Sequence, residues 1–554
     1  MISNLRYWFL VVLIVLVYIA GSFVTLFEND SAQFAVMAMR MVNENDFINL
    51  FKGPNEYLDK PHMHYWLAAL SYKIFSIHDW AYRIPGILAT LLGAYSCYGL
   101  GKLLYNVHTG KLAALIFMTA QTIVLGAIDV RTDAVLTGFT VFAIWQLAVY
   151  IEKGTLLSVL LGGFGAGMAF STKGQIALVV IGLPILCHLA YTRKWYRFLS
   201  WKVLLALVIF GLTIAPMLYA YYLQFDLHPE KVIRGRDNRS GIFFIFWEQS
   251  FERMSGEGIG KNSSDYFFFF HTFLWVFLPW TILALTAFWC RTKTFFKLKF
   301  KHNPKYEFLT LGGITLVFIL ISFAQFKLPH YLNVTIPLFS VLTASYMYNL
   351  YRFDKQKMTK ILLWVQYFIL SVVFMASTLI CFFVFKFDGL LIPILLCGGG
   401  LVIVFFALKT ERVYARLITV SVFASLLLNA VLNLHFYPNL LKYQGGSNMS
   451  KLIAENNIPV DKIYKIGNDH TWALDFYNKY PVQISTLTEI GNKKDIWVYV
   501  NSEELEKIRE SPLDWDRQLT VDQFRITRLQ GKFLNPNTRN KVVNKMYLVH
   551  LKQP

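Results

Sequence analysis

Residues Tyr7–Phe27 read YWFLVVLIVLVYIAGSFVTLF, an apolar run without a single charge, and it ends on Glu28-Asn29-Asp30. A hydrocarbon core needs about 20 such residues to be crossed as a helix. The stretch preceding it carries only Arg6, and no small-x-small cleavage site follows, so the run reads as a retained first helix rather than a leader peptide. Such a helix delivers Asp30 to the far side of a membrane. Similar runs recur along the chain. Of its 554 residues 55% are hydrophobic and only 16% charged, where a soluble protein carries about 25% charged residues. Continuous apolar runs, not short alternating ones, exclude a membrane β-barrel. The class is therefore a polytopic α-helical membrane protein.

Further spans are expected near 84–104, 112–128, 134–150, 155–170, 174–192, 203–222, 266–289, 307–325, 330–350, 361–385, 388–408 and 413–436, about thirteen in all. One set of alternate loops is short and basic: Lys102 and Lys111, Lys153, Arg193 to Lys202, Arg291 to Lys305, Arg352 to Lys360, and Lys409 to Arg416. Lys and Arg gather on the cytoplasmic side, so the other set faces out. That outer set includes loops at 28–83 and 223–265. Composition turns soluble near residue 437, which divides the chain into a membrane domain, 1–436, and an outward α/β domain, 437–554. In the latter, Ile463–Ile466, Val482–Ile484, Ile496–Val500 and Met546–Leu551 read as strands, and 450–456 and 502–509 as helices with Ser at the cap. No glycine-rich nucleotide signature accompanies them, and the domain reads as a lid or scaffold.

The net charge of +19 does not indicate nucleic acid, since much of it orients the spans. The remainder on the outer face fits an anionic ligand such as a phosphate. The five cysteines lie in or at the edge of spans, so no disulfide framework is implied.

The candidate chemistry lies in the outer loops. Asp30 precedes Phe34, Met37 and Met41 at helical spacing, so a short helix is expected along the interface, apolar face down, with the acid at its N-terminus. Leu58-Asp59-Lys60-Pro61 places a lysine in an extended turn before proline. His62 and His64 read as structural. Asp129, Arg131-Thr132-Asp133 and Ser171-Thr172-Lys173-Gly174 put ionisable groups at helix ends, where they need partners or water. Glu248, Arg253, Lys327 and His330 fall on the same side. An ordinary salt-bridged helix end would account for each of these alone; their assignment to one face by an independent rule is the stronger observation.

Together these motifs resemble the lipid-dependent glycosyltransferases of the GT-C type, most closely the lipid A aminoarabinose transferase branch related to the dolichyl-phosphate-mannose protein mannosyltransferases. That branch's Asp-Glu pair is matched by Asp30-Ser31, with the second acid replaced. Its Phe-Glu-Lys-Pro-Pro segment is similar to Leu58-Asp59-Lys60-Pro61-His62, leading to Tyr65-Trp66. Arg-Thr-Asp stands as Arg131-Thr132-Asp133, and Thr-Lys-Gly as Thr172-Lys173-Gly174. The acid-to-arginine loop, Leu-Pro-Trp and Lys-Leu-Pro are similar to Glu248–Arg253, Leu278–Trp280 and Lys327–Pro329. The match runs in order from about residue 7 to 350.

The resemblance implies a polyprenyl-phosphate sugar as donor, undecaprenyl-linked in a bacterium, and a lipid A phosphate or another lipid or glycan as acceptor. It implies catalytic roles for Asp30 and Asp133. Donor phosphate contacts are expected from Lys60, Arg131, Lys173, Arg253 and Lys327, and sugar or acceptor contacts from Asp59, Tyr65, Glu248 and His330. Transfer is expected to invert the anomeric carbon. No cofactor is required, and a divalent metal is left open. The expected setting is a monomer in the bacterial inner membrane, with site and tail domain in the periplasm. The alternatives are a protein O-mannosyltransferase-like enzyme and a lipid-linked sugar transporter or flippase. Transporters place polar groups near the bilayer midplane, often in two related halves; here the charges lie at helix ends and no repeat is visible.

Overall fold

The computed structural model describes residues 3–256, 262, 265–387, 398, 400, 412–467 and 469–552. The apolar opening is one helix, α1 (Asn4–Ser22), and the polar interval after it contains α2 (Asp30–Asn43), a hairpin of β1 (Phe51–Lys52) and β2 (Asn55–Glu56), and α3 (Met63–Phe75). Then come α4 (Asp79–Leu104), α5 (Val107–Thr119), α6 (Gln121–Ile128), α7 (Thr132–Lys153), α8 (Leu156–Lys173) and α9 (Gln175–Thr192). Among the described residues eight helices are long and apolar enough to cross a membrane, or nine if the bent pair α5 and α6 is one span. This makes the chain a multi-pass membrane protein.

The expected spans near 155–170 and 174–192 are both full helices of 18 residues. Other stretches are less regular than their apolar runs suggest. The run at 266–289 is divided into Phe268–Val276 and Thr281–Lys297 around Leu278-Pro279. Leu309–Phe323 has only 15 residues, and the run from 330 opens with a tight 3-10 segment, Pro329–Thr335, before the helix Ile336–Arg352. The span expected near 388–408 lies outside the described residues.

The bend between α5 and α6, 55°, has an identifiable cause. Ala120 is extended, which breaks the helical ladder. The polar groups at the break are met by neighbouring elements, as backbone buried at membrane depth requires. Gln121 N–H donates to Leu278 O at 3.0 Å. Ser425 Oγ donates to Thr119 O at 2.7 Å, Trp280 Nε1 to Thr119 Oγ1 at 2.9 Å, and the amides of Gln121 and Asn429 exchange two hydrogen bonds. The consequence for the site is that α6 ends at Ile128 and the next residue, Asp129, lines the cavity of that site.

The helix that starts at Val413 continues to Tyr443 and leads directly into the tail. There β3 (Ile463–Lys465), β4 (Gln483–Ile484), β5 (Ile496–Asn501), β6 (Trp515–Gln523) and β7 (Asn544–Leu551) form one sheet in the order β4-β3-β5-β7-β6. β3 runs parallel to β4 and β5, while β7 runs antiparallel to β5 and β6. The helix expected at 450–456 begins earlier, at Gly445, and that at Ser502–Arg509 is capped by Asn501, not Ser502, through a reciprocal bond with Glu504. β6 was not anticipated: it is an edge strand with most of its side chains in solvent, so it lacks an apolar alternation.

The tail packs on the interval after α1. Gln444 accepts from Glu28 N at 2.8 Å and donates to Leu26 O at 2.9 Å. Trp472 and Phe476 join Phe34, Ala35 and Met39 in one apolar cluster. Here the expectation of a surface-lying α2 is corrected. Ser31 through Met39 are all buried, because the helix is covered by α3 and by the tail helix Trp472–Asn478 instead of resting on lipid.

Candidate active site

Asp30 is the first residue of α2, placed by a turn at Asn29, whose φ of 70° is left-handed. Asn29 Nδ2 donates to Thr527 Oγ1 of the tail at 3.2 Å, which fixes that turn from outside. Arg131 stands in extended backbone between α6 and α7. Its guanidinium bridges two carboxylates, Asp30 Oδ2 from Nη1 and Asp129 Oδ2 from Nη2, each at 2.9 Å. Burial alone would lower the pKa of Arg131, but Asp129, Asp30 and Asp133 together raise it, so the group is a fixed cation.

In the first turn of α7, Asp133 meets Lys173, the last residue of α8. Nζ to Oδ1 is 2.6 Å, and both side chains are less than a tenth exposed. The ammonium also lies 4.7 Å from the centre of the Tyr331 ring, and His330 Nε2 is 3.6 Å from Asp133 Oδ2. Gly174, with φ +71°, lets the chain reverse immediately after Lys173, and a side chain there would collide with Gln249.

These groups share a cavity of about 780 Å³. Its walls include Asp30, Asp59, Lys60, Asp129, Arg131, Asp133, Lys173 and His330 from the membrane domain, and His470, Trp472, Arg525, Thr527 and Arg528 from the tail. A second, almost wholly apolar groove of about 260 Å³ begins at Asp133, Lys173 and Tyr331 and runs between Leu136, Ile176, Val179, Phe251, Leu320 and Ile321. The charged chamber and the greasy groove therefore adjoin at the Lys173–Asp133 pair, which lines both.

Other predicted site residues lie elsewhere. Tyr65 is fully buried beside Phe34, ring centres 5.5 Å apart, and does not reach the cavity. Glu248 is tied to Arg239 at 2.9 Å. Lys327 donates to Asp265 O at 2.7 Å and lies over the Tyr266 ring, whereas its neighbours Phe326 and Leu328 line the cavity. Lys327 is buried and turned away from the cavity, toward Asp265 and Tyr266. Arg253 is on the helix Gln249–Ser255, and its side chain lies outside those described. His62 is structural as expected. Its Nε2 is 2.8 Å from Ile48 O, and burial pushes its pKa down to about 4.

No motif or periodicity announces the strap over Asp59. Arg234 bridges Asp59, at 3.0 Å, and Glu252, at 2.9 Å, and Gln249 Nε2 donates to Asp59 O at 2.6 Å. Arg525 and Arg528 were also missed. They follow an edge strand in a connection without regular periodicity, where two arginines look like solvated charge. Among the described residues no group of three His, Cys, Asp or Glu side chains converges as a metal site.

The bundle, with its charged chamber, an adjoining apolar groove and an α/β tail, is that of a multi-pass membrane protein with an ArnT-like fold. The chain aligns with an ArnT from Cupriavidus metallidurans bound to undecaprenyl phosphate at a TM-score of 0.76, over 99% of this chain and 98% of that one, with 15% identity. Its residues 59–219 match the family model described as dolichyl-phosphate-mannose-protein mannosyltransferase. It is 25% identical over 344 residues to the undecaprenyl phosphate-alpha-4-amino-4-deoxy-L-arabinose arabinosyl transferase 2 of Proteus mirabilis, 61% of this chain and 58% of that protein. The corresponding transferase of Pseudomonas paraeruginosa is also 25% identical, over 55% of this chain and 52% of its own. The match thus spans under two thirds of either relative's length. The family-model match and the curated relatives thus show a likeness to the protein mannosyltransferases and the aminoarabinose transferases, and the solved structure shows a shared fold.

Proposed function

We propose that this chain transfers a sugar from a polyprenyl-phosphate donor, undecaprenyl-linked in a bacterial inner membrane, to a phosphorylated lipid head group such as lipid A. Transfer takes place at the periplasmic face and inverts the anomeric carbon. The observation that carries the reading is the apolar groove ending on Lys173 and Asp133 inside the chamber that also holds Asp30 and Arg131. A prenyl chain fits the groove, and its phosphate reaches the cations at the mouth. The names of the relatives, aminoarabinose transferases with undecaprenyl phosphate as carrier, support the same donor class.

In this mechanism an acceptor oxygen attacks the anomeric carbon on the face opposite the donor phosphate. The anomeric C–O bond breaks, and its electron pair leaves with the prenyl phosphate. Lys60 and Lys173 meet the charge that builds there, and Arg131 holds Asp30 toward the acceptor. Preorganised donors aimed at developing charge are commonly a large catalytic contribution, about 3–4 kcal/mol for one group. With a hydroxyl acceptor the proton goes to Asp30; with an ionised phosphate Asp30 only orients the nucleophile. Asp133 keeps Lys173 in place and contacts the sugar. The unit after residue 437 covers the chamber from the periplasm.

The protein-directed alternative calls for a neutral hydroxyl acceptor. Arg525 and Arg528 on the chamber's tail side, with no carboxylate partner among the described residues, favour an anionic one. Purified protein in nanodiscs, given radiolabelled undecaprenyl-phosphate aminoarabinose and lipid A, tests the proposal. Label moving to lipid A supports it. Label flipped across liposomes without transfer would mean a transporter, and label moving to protein would mean a mannosyltransferase-like enzyme.

A further inference from the structure

Arg83 is fully buried near the start of α4, and no carboxylate pairs with it among the described residues. Its guanidinium is spent on backbone. Nε donates to Ile128 O at 2.8 Å, Nη1 to Ser22 O at 2.9 Å and Nη2 to Thr25 O at 3.4 Å. Ser22 is the last residue of α1, and Ile128 is the last of α6. Helix C-termini leave carbonyls without partners and carry partial negative charge, so two such ends balance one buried cation. Tyr82, the preceding residue, donates from its hydroxyl to Val130 O at 3.1 Å.

From these two anchored ends the chain continues to the two halves of one ion pair, past Thr25 to Asp30 and past Ile128 to Arg131. We propose that Arg83, helped by Tyr82, is a positioning residue: it fixes the end of α1 against the end of α6 and so sets the distance between Asp30 and Arg131. The three-pronged geometry calls for a guanidinium, because each carbonyl meets a different nitrogen of Arg83 and a lysine gathers all its donors on one. The catalytic part of the proposal rests on the transferase reading above; the positioning part does not.

The test uses the full-length protein carrying R83K, R83Q or Y82F. Hydrogen–deuterium exchange followed by mass spectrometry reads the geometry without any turnover, and transfer kinetics read its consequence. For R83K and R83Q the expected result is faster exchange confined to 22–30 and 128–132. It is accompanied by a fall in kcat of about 100-fold, as misplacement by about 1 Å brings, with donor KM little changed. Y82F deletes a single oxygen, which also meets His64 Nε2 at 2.9 Å, and is expected to loosen 128–132 and the start of α3 while leaving 22–30 unchanged, which keeps the proposal open to refutation if the Arg83 variants fail to fold. Unchanged exchange in both segments, or a uniform increase over the whole chain, overturns it. A wild type that transfers no sugar, with the localised exchange intact, would refute the transferase reading and leave the positioning role standing.

Discussion

Asp30 and Arg131, separated by 101 positions in sequence, meet at 2.9 Å in the wall of the chamber, and Asp129 holds the other side of the same guanidinium. The Asp30 side chain is 42% exposed. A pair so open to water contributes only about 0–1 kcal/mol to stability, so its geometry matters more for what Asp30 can reach than for folding.

Asp30→Asn is therefore expected to melt with the wild type and to keep its affinity for undecaprenyl phosphate while losing turnover. With a hydroxyl acceptor the loss is about 10²–10⁴-fold, the usual worth of a positioned proton acceptor. With an ionised phosphate acceptor it is smaller, since no proton needs removing. Steady-state transfer to paired acceptors checks this, and full activity on the native acceptor removes Asp30 from the mechanism.

The Asp133–Lys173 pair differs because it is buried. Replacing Lys173 by Met leaves a carboxylate in a poorly solvated site, with His330 at 3.6 Å and Lys60 and Arg131 acting on it from farther off, and breaking a buried pair on one side costs about 3–5 kcal/mol. The double variant D133N/K173M removes both charges and is expected to be more stable than K173M alone. Denaturation in detergent, run as a double-mutant cycle, measures the coupling; additive effects of the two substitutions would rule it out.

Much of this site was legible before any coordinates, and the remainder was hidden for physical reasons. An uncharged apolar run ending in an acid announces both a helix and the side on which Asp30 emerges. Arg131-Thr132-Asp133 and Thr172-Lys173-Gly174 stand out because charge at a helix end inside an apolar chain needs a reason. Side-chain direction was not legible. Phe326, Lys327 and Leu328 occupy one short turn, yet the two apolar residues face the chamber and the lysine faces Asp265. The partners of Asp59 and Glu248 come from Arg234 and Arg239, on a loop with no periodicity to fix its path. Arg83 carries no signal of its own in the sequence, because nothing local says that two helices end against it.

Arg525 and Arg528 give a prediction about the acceptor. Alanine at both positions is expected to raise KM for a phosphorylated acceptor about tenfold or more, since a hydrogen bond to a charged group is worth about 1.5–3 kcal/mol. Donor affinity, governed from the opposite wall, is expected to stay the same. Kinetics with lipid A and with its dephosphorylated form separate the two, and an equal effect on both forms would show that the arginines do not read acceptor charge.

The junction between tail and membrane domain is expected to respond to pH through Glu28 and Asp475. Burial pushes Glu28 up to about 8, against hydrogen bonds such as the one from Ala473 N, with the nearby Asp475 adding to the rise. Burial likewise raises Asp475 to about 7. Unfolded carboxylates titrate near 4, so between about pH 4 and 8 the folded junction holds more protons than the unfolded one, and stability falls as pH rises. The contribution is full below about pH 4, shrinks across the interval, and is gone once both groups have ionised above about pH 8. Thermal melts from pH 5 to 9 are expected to slope downward in the wild type and to flatten in E28Q/D475N, whose amides stay neutral throughout. Hydrogen exchange at 22–30 and 471–476 locates the change at this junction, and identical slopes in wild type and variant would assign the pH response to other groups.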